Sequence, residues 1–245
     1  MAALTATATP EVRDDIVQLL GLRAPHVVVA GFDRPNIYPS VRPVSGETEK
    51  QQLLPSLVGD RRALVYTATR AGAATVAAVL QAAGVQAAAY HGGMPGAART
   101  RVQEAFASAT FRVVCATNAF GMGIDRPDIE AVIHADLPAS IEAYYQEIGR
   151  AGRDRRPATA TLLWHYADVK TREFLIDHVR ADDARRSLVR RSLGEGGRVA
   201  ITPEERERRK ALEHAKLRRM IAYAETVGCL RATILRDFGE GGDPQ

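Results

Sequence analysis

Short β-type runs alternate with helical patterns through the middle of this 245-residue chain, and that alternation constrains the fold more than any other feature. Residues 62–67 (RALVYT), 86–90 (QAAAY), 111–117 (FRVVCAT), 131–135 and 158–164 each read as buried strands bounded by polar or glycine positions. Between them, residues 70–83, 97–107 and 141–148 carry apolar side chains at helical spacing, and Ser140 stands where a helix N-cap is needed. Strands joined through helices by short connections can pair only in parallel, and a parallel sheet must be covered on both faces. The expected fold class is therefore α/β, a parallel sheet with helices on both faces, followed by a small helical subdomain. One helix is expected near residues 11–20, starting after Pro10, and residues 32–45, rich in Pro and Arg, read as a connector. After Tyr166 the strand signals stop, and residues 167–180 and 204–227 read as helices around a Gly-rich break at 194–197. These shifts divide the chain into residues 1–35, 36–168 and 169–245.

Composition narrows the class. With 46% hydrophobic and 25% charged residues the chain is an ordinary globular sequence, and no apolar run approaches a membrane span. No basic, apolar-cored leader opens it, and two cysteines, Cys115 and Cys229, cannot form a disulfide framework. A reducing, cytoplasmic setting is expected. The 33 basic and 29 acidic side chains give a net charge of +4. Residues 1–169 are neutral, so the whole excess lies beyond them, concentrated in residues 185–219. A basic segment on a neutral body points to a polyanionic partner, although a solvated helix laced with ion pairs has the same composition.

The segment that carries chemistry is residues 146–154, QEIGRAGRD, at the end of an expected helix. Arg150 and Arg153 stand three apart among the small residues Gly149, Ala151 and Gly152. Small residues allow close backbone approach, and two guanidiniums on one side form a fork for phosphate oxygens. A helix C-cap at Gly149 with exposed arginines would account for a lone Gly-Arg pair, but not for the whole string with its neighbours. The chain contains no G-x₄-G-K-[ST] phosphate cradle and no DEAH-like carboxylate pair for Mg²⁺.

QEIGRAGRD resembles motif VI of superfamily 2 helicases, and the preceding YYQE resembles the RecQ DNA helicases in particular. Further strings agree in the family's order: residues 3–9 (ALTATAT) resemble motif III, 64–70 (LVYTATR) motif IV, 90–94 (YHGGM) the YHAGL-type string, 116–128 (ATNAFGMGIDRPD) motif V, and 132–138 (VIHADLP) its sequel. The resemblance implies the second RecA-like lobe of an ATP-dependent 3′→5′ DNA helicase, preceded by a remnant of the first lobe. It also implies roles. Arg150 and Arg153 match arginines that reach the ATP γ-phosphate, with Arg153 favoured as the finger. Gln146, Asp125, Gly123 and Gly149 match positions that line the nucleotide cleft or couple it to DNA. Arg70, Thr117 and His91 match positions near the DNA backbone. ATP and Mg²⁺ are implied for the complete enzyme, held mostly by an upstream RecA-like lobe that acts as partner.

Residues 224–242, around Cys229, resemble the start of the RecQ zinc-binding subdomain. The family's other three cysteine ligands follow an FGE-type turn, present here at residues 238–240, and none occurs before Gln245. A closed tetrahedral zinc site needs four ligands, so the metal role of Cys229 is expected to stay latent and the chain to bind no Zn²⁺. The Asp-Gly that follows motif VI in many relatives is Asp154-Arg155 here. Two other readings stand beside the motor lobe. A non-catalytic nucleic-acid- or partner-binding lobe fits a chain without a phosphate cradle. An RNA helicase of DEAD-box type shares the GRAGR string but leaves YYQE, FGMGID and the Cys229 region unexplained. Expected partners are single-stranded or forked DNA and no membrane, and the sequence does not fix an oligomeric state.

Overall fold

The computed structural model describes residues 2–5, 7–118, 126–178 and 202–241. Its centre is a six-stranded, all-parallel sheet. The strands are β1 (Ile37–Pro43), β2 (Ala63–Tyr66), β3 (Ala87–Tyr90), β4 (Val113–Ala116), β5 (Ala131–His134) and β6 (Ala158–Trp164), in spatial order β1-β6-β5-β2-β4-β3. The helices are α1 (Pro10–Leu19), α2 (Glu47–Val58), α3 (Arg70–Ala82), α4 (Gly96–Ala107), α5 (Ile141–Ile148), α6 (Ala167–His178), α7 (Pro203–Ala224) and α8 (Leu230–Asp237).

Strand periodicity sorts the core into two layers, because successive side chains point to opposite faces. Ala63, Val65, Val113, Cys115, Ala131 and Ile133 face one way, where Leu54 and Val58 of α2 and Val76, Ala77 and Leu80 of α3 cover them. Leu64, Tyr66, Val114, Ala116, Val132 and Leu162 face the other way. That second layer is closed by Phe106 of α4, Ile141 and Tyr144 of α5, Leu217, Met220 and Tyr223 of α7, and Ile234 and Leu235 of α8. The C-terminal helices thus share a core with the sheet. Each fully buried side chain of this size contributes about 1.5–3 kcal/mol.

Two elements escape the sequence pattern. Residues 37–43 form a strand inside the stretch that reads as a connector. β1 is an edge strand paired only to β6, from Ile37 opposite Ala158 to Pro43 opposite Trp164, so Pro39 and Pro43 are tolerated there. Residues 47–58 form α2 despite Pro55 in its interior and a lysine at a buried position. Carbonyls of its last turn are taken up by the Arg61 guanidinium, which donates to Leu57 O and to Val58 O. Lys50 is 2% exposed, and its Nζ lies 2.6 Å from Asp168 Oδ1 on α6 and 3.4 Å from Asp136 Oδ1 after β5. Its burial is therefore paired, the only form in which a buried ammonium is tolerated. A further helix, α8, follows Cys229, beyond the last helix legible in the sequence.

Candidate functional site

The carboxyl ends of β2, β3 and β4 open onto one wide cleft. Thr67–Arg70 leave β2, Gly92 follows β3 and His91, and Thr117 and Asn118 leave β4; all but His91 line the cleft. Thr67 Oγ1 donates to Thr69 O at 3.0 Å, and Thr69 Oγ1 caps α3 by accepting from Gly72 N. Asp136, just after the neighbouring strand β5, accepts from Ala68 N at 2.7 Å and so fixes the same turn. Arg70 lies across Gly93: a Cβ there would sit 2.9 Å from Arg70 Nη1, so the glycine gives the guanidinium its passage. His91 is partly exposed, and its Nδ1 is buried without a hydrogen-bond partner among the described residues. The structure thus brings together Arg70, His91 and Thr117, at the sheet edge where open α/β folds bind ligands.

Part of the cleft lining was not legible as such. Arg172 of α6 and Arg206, Arg209 and Lys210 of α7 line the cleft too, together with Asp177 and Glu213. Arg172 is largely buried, which lowers its pKa from the usual arginine value, while Glu147, Asp136 and Asp168 oppose that shift. Its Nε donates to Leu137 O. The excess positive charge of residues 185–219 signalled α7 in general. Only packing shows that these particular members line the cleft.

Gln146, Gly149, Arg150 and Arg153 occupy a different place. The loop after α5 returns to the amino ends of the strands: Gly152 N donates to Ile129 O at 2.9 Å just before β5, and Asp154 N to Pro127 O at 3.2 Å. Gly152 adopts φ +57°, and an added Cβ would meet Asn36 Nδ2 at 2.3 Å. Arg153 is exposed and Arg150 half-buried. Arg150 acts on the buried Tyr66 hydroxyl through a hydrogen bond and its charge. Desolvation, and then Glu147, push the Tyr66 pKa above its usual value, and Arg150 and Arg153 oppose the rise. Gln146 is exposed, and its Nε2 donates to Thr7 Oγ1 in the N-terminal segment. Asp125 and Gly123 lie outside the described residues. The backbone of the loop after α5 is thus tied to strand starts, while the Arg150 side chain reaches Tyr66 at the carboxyl end of β2, which lines the cleft.

An aromatic column runs from Tyr66 to α7. Tyr66 stacks on His134 with ring centroids 5.3 Å apart, His134 lies 4.9 Å from Tyr144, and Tyr144 lies 5.1 Å from Tyr223 of α7. His134 Nε2 is 2.8 Å from Glu147 Oε2, and the Tyr223 hydroxyl donates to that of Tyr144 at 3.3 Å. Burial pushes the Tyr144 phenol up to about 12. No local pattern in the sequence signals this stacking.

Zinc does not fit the residues present. Cys229 is exposed at the start of α8, whereas Cys115 is fully buried in β4, where desolvation pushes its thiol up to about 12. Among the described residues no group of three or more His, Cys, Asp or Glu side chains could hold a metal ion. Nor is any helix among them long and apolar enough to cross a membrane.

Comparison with known proteins identifies the family. Residues 49–155 match the family model described as helicase conserved C-terminal domain, and residues 166–245 match that described as RecQ zinc-binding. The chain is 37% identical over 241 residues to the ATP-dependent DNA helicase RecQ of Bacillus subtilis, covering 97% of this chain and 36% of that protein. It is 35% identical over 246 residues to the ATP-dependent DNA helicase Q-like 4B of Arabidopsis thaliana, covering 99% of this chain and 20% of the relative. It thus spans about a third or less of the length of these relatives. Among solved structures, a DEAD box protein from Methanococcus jannaschii is similar at 28% identity and a TM-score of 0.50, over 57% of this chain and 39% of that one. The fold also matches Saccharomyces cerevisiae Dbp5 bound to RNA and ADP BeF3, at 22% identity and a TM-score of 0.56, over 69% of this chain and 46% of that one. With both family matches in order along one chain and relatives of one name along nearly its whole length, the chain belongs to the RecQ-type helicase family, of which it carries the helicase C-terminal domain and the zinc-binding region.

Proposed function

We propose that this chain works as the second motor lobe of an ATP-dependent 3′→5′ DNA helicase in recombination and repair. In this reading the loop of Gln146, Gly149, Arg150 and Arg153 faces a nucleotide held mainly by an upstream RecA-like lobe. Arg153, an exposed residue, offers the finger that meets charge developing on the transferred phosphoryl group, and half-buried Arg150 orients it. Cleft residues Arg70, Thr117 and His91, with Arg172, Arg206, Arg209 and Lys210 of the cleft lining, track a DNA backbone. Bound ATP with Mg²⁺ supplies the phosphoryl group and its charge neutralisation. The chain's own share is to position donors and exclude water.

The observation that carries the reading is the exposed Arg153 beside an arginine held half inside the fold, on a loop tied to strand starts. Its test uses the chain assembled with a lobe that carries a phosphate cradle. Arg153→Ala is expected to lower turnover by about 10³–10⁵ with ATP binding largely retained. Turnover within tenfold of the unsubstituted motor overturns the assignment. Alone, the chain is expected to hydrolyse no ATP, since it contains no P-loop lysine. It should bind single-stranded DNA weakly and lose that binding steeply as salt rises.

A further inference from the structure

The geometry points to Arg34 and Asn36 as positioning residues that hold the arginine loop in its working shape, set in turn by Arg231 of the zinc-binding region. The inference rests on the proposed role of Arg150 and Arg153 and adds to it residues from outside the loop.

The observations converge on one short segment. Arg34 Nη1 donates to Gly149 O at 3.4 Å, and Nη2 donates to Ala151 O at 3.1 Å and to Gly152 O at 3.2 Å. These carbonyls flank Arg150 on both sides. Asn36 Nδ2 donates to Gly152 O at 2.8 Å and to Arg156 O at 2.9 Å, spanning Arg153. Five donor contacts from two side chains thus hold the backbone that presents both arginines. Helix-end carbonyls have no partner within their own helix, and here a guanidinium from another element takes them up. The left-handed Gly152 leaves no room for a Cβ beside Asn36, so the loop and the clamp fit only with glycine there.

The clamp is itself braced. Arg231 of α8 holds residues 33–37: Nη2 donates to Pro35 O at 3.1 Å and to Ile37 O at 2.9 Å, while Nη1 lies 3.3 Å from Asp33 Oδ1. Glu240 Oε1 accepts from Phe32 N at 2.7 Å, and the Tyr145 hydroxyl of α5 donates to Phe32 O at 2.7 Å. Phe32 stacks on Phe238 with centroids 4.6 Å apart. A continuous path therefore runs from the C-terminal helix through the strand start to the arginine loop. A change in the C-terminal region that shifts Arg231 reaches the finger without crossing the sheet.

Positioning predicts a different signature from mere packing. In the 245-residue chain, amide hydrogen exchange across residues 149–156 should quicken at least tenfold in Arg34→Ala, while strands β2 and β5 keep their protection. Asn36→Asp keeps the side chain's shape but sets a carboxylate against two carbonyls, so it should loosen the same amides more than Asn36→Ala does. Arg34→Lys should restore part of the protection, and Arg231→Ala should loosen the loop less than Arg34→Ala. Should Arg34→Ala fail to fold, the two Asn36 variants and Arg34→Lys carry the test. In the assembled ATPase, Arg34→Ala should lower kcat at least tenfold with KM for ATP within threefold. Unchanged exchange at residues 149–156 overturns the clamp. Faster exchange with unaltered kcat, where Arg153→Ala is inactive, overturns its role in positioning. An active Arg153→Ala motor instead overturns the finger assignment and leaves the exchange result to stand alone.

Discussion

The two faces of the sheet are packed in different ways. Toward α2 and α3 the buried layer is aliphatic: Val65, Val76, Leu80, Val113, Ile133 and their neighbours include no aromatic ring. Toward α5, α7 and α8 the layer holds Tyr66, Tyr144, Tyr223 and Phe238, with His134 stacked among them. Aliphatic side chains fill volume without direction. Tyrosines and histidines fill volume and also point a polar atom, which must find a partner when buried. The aliphatic face therefore stabilises the lobe, and the aromatic face additionally fixes where α5, α7 and the arginine loop stand relative to the strand ends. The arginine loop stands on the side where packing is directional.

The comparison yields measurements of decreasing size. Leu80→Ala removes a fully buried side chain on the aliphatic face and should cost about 2–5 kcal/mol in urea unfolding. It should leave the native-state exchange pattern of residues 149–156 unchanged under folding conditions; a selectively loosened loop would show that the faces are not independent. Tyr223→Phe on the aromatic face removes one buried hydroxyl from its partner Tyr144 and should cost about 1 kcal/mol. That variant should also alter the exchange of α5, which Leu80→Ala should not do. Arg155 adopts φ +66° in the turn that follows Arg153, a conformation that favours glycine. Arg155→Gly should therefore raise stability by up to about 1 kcal/mol, relief of the left-handed strain being partly offset by glycine's greater freedom in the unfolded chain.

The smallest effect is a pH dependence on the aromatic side. Burial, aided by Glu142, raises the Asp237 carboxyl above its usual range against the pull of Arg219. A carboxyl raised in the folded state holds its proton more tightly there than when unfolded. Its contribution is thus full below the usual carboxylate range and is lost as pH rises through the raised value. Asp237→Asn should accordingly flatten the stability profile just above the usual carboxylate range and melt no lower than the parent near neutral pH. A variant that melts lower there would assign Asp237 a net favourable pairing with Arg219.

Most of the sheet could be read directly, because parallel strands buried on both faces leave unbroken apolar runs such as ALVY and VVCA. The edge strand β1 could not, since prolines that exclude a central strand are harmless where no second neighbour needs the N–H. Helix α2 was hidden for a related reason: Pro55 and a buried Lys50 break the expected pattern, and the partners that make them tolerable, Asp136 and Asp168, lie 86 and 118 residues away. The candidate site shows the same division. Arg150, Arg153, Arg70 and Thr117 stand out in their strings, whereas Arg34, Asn36 and Arg172 gain meaning only from what they touch.

By itself, the sequence determined the α/β alternation, the family strings and the residue types able to meet phosphates, because periodicity and local spacing are properties of neighbours along the chain. Tertiary structure alone decided that the arginine loop is tied to strand starts while Arg150 reaches the Tyr66 hydroxyl beside the cleft. It also decided that an aromatic column runs from Tyr66 to α7 and that a connector arginine holds the arginine loop. Those relations depend on hydrogen bonds and ring contacts between segments far apart in the chain, which no local pattern encodes.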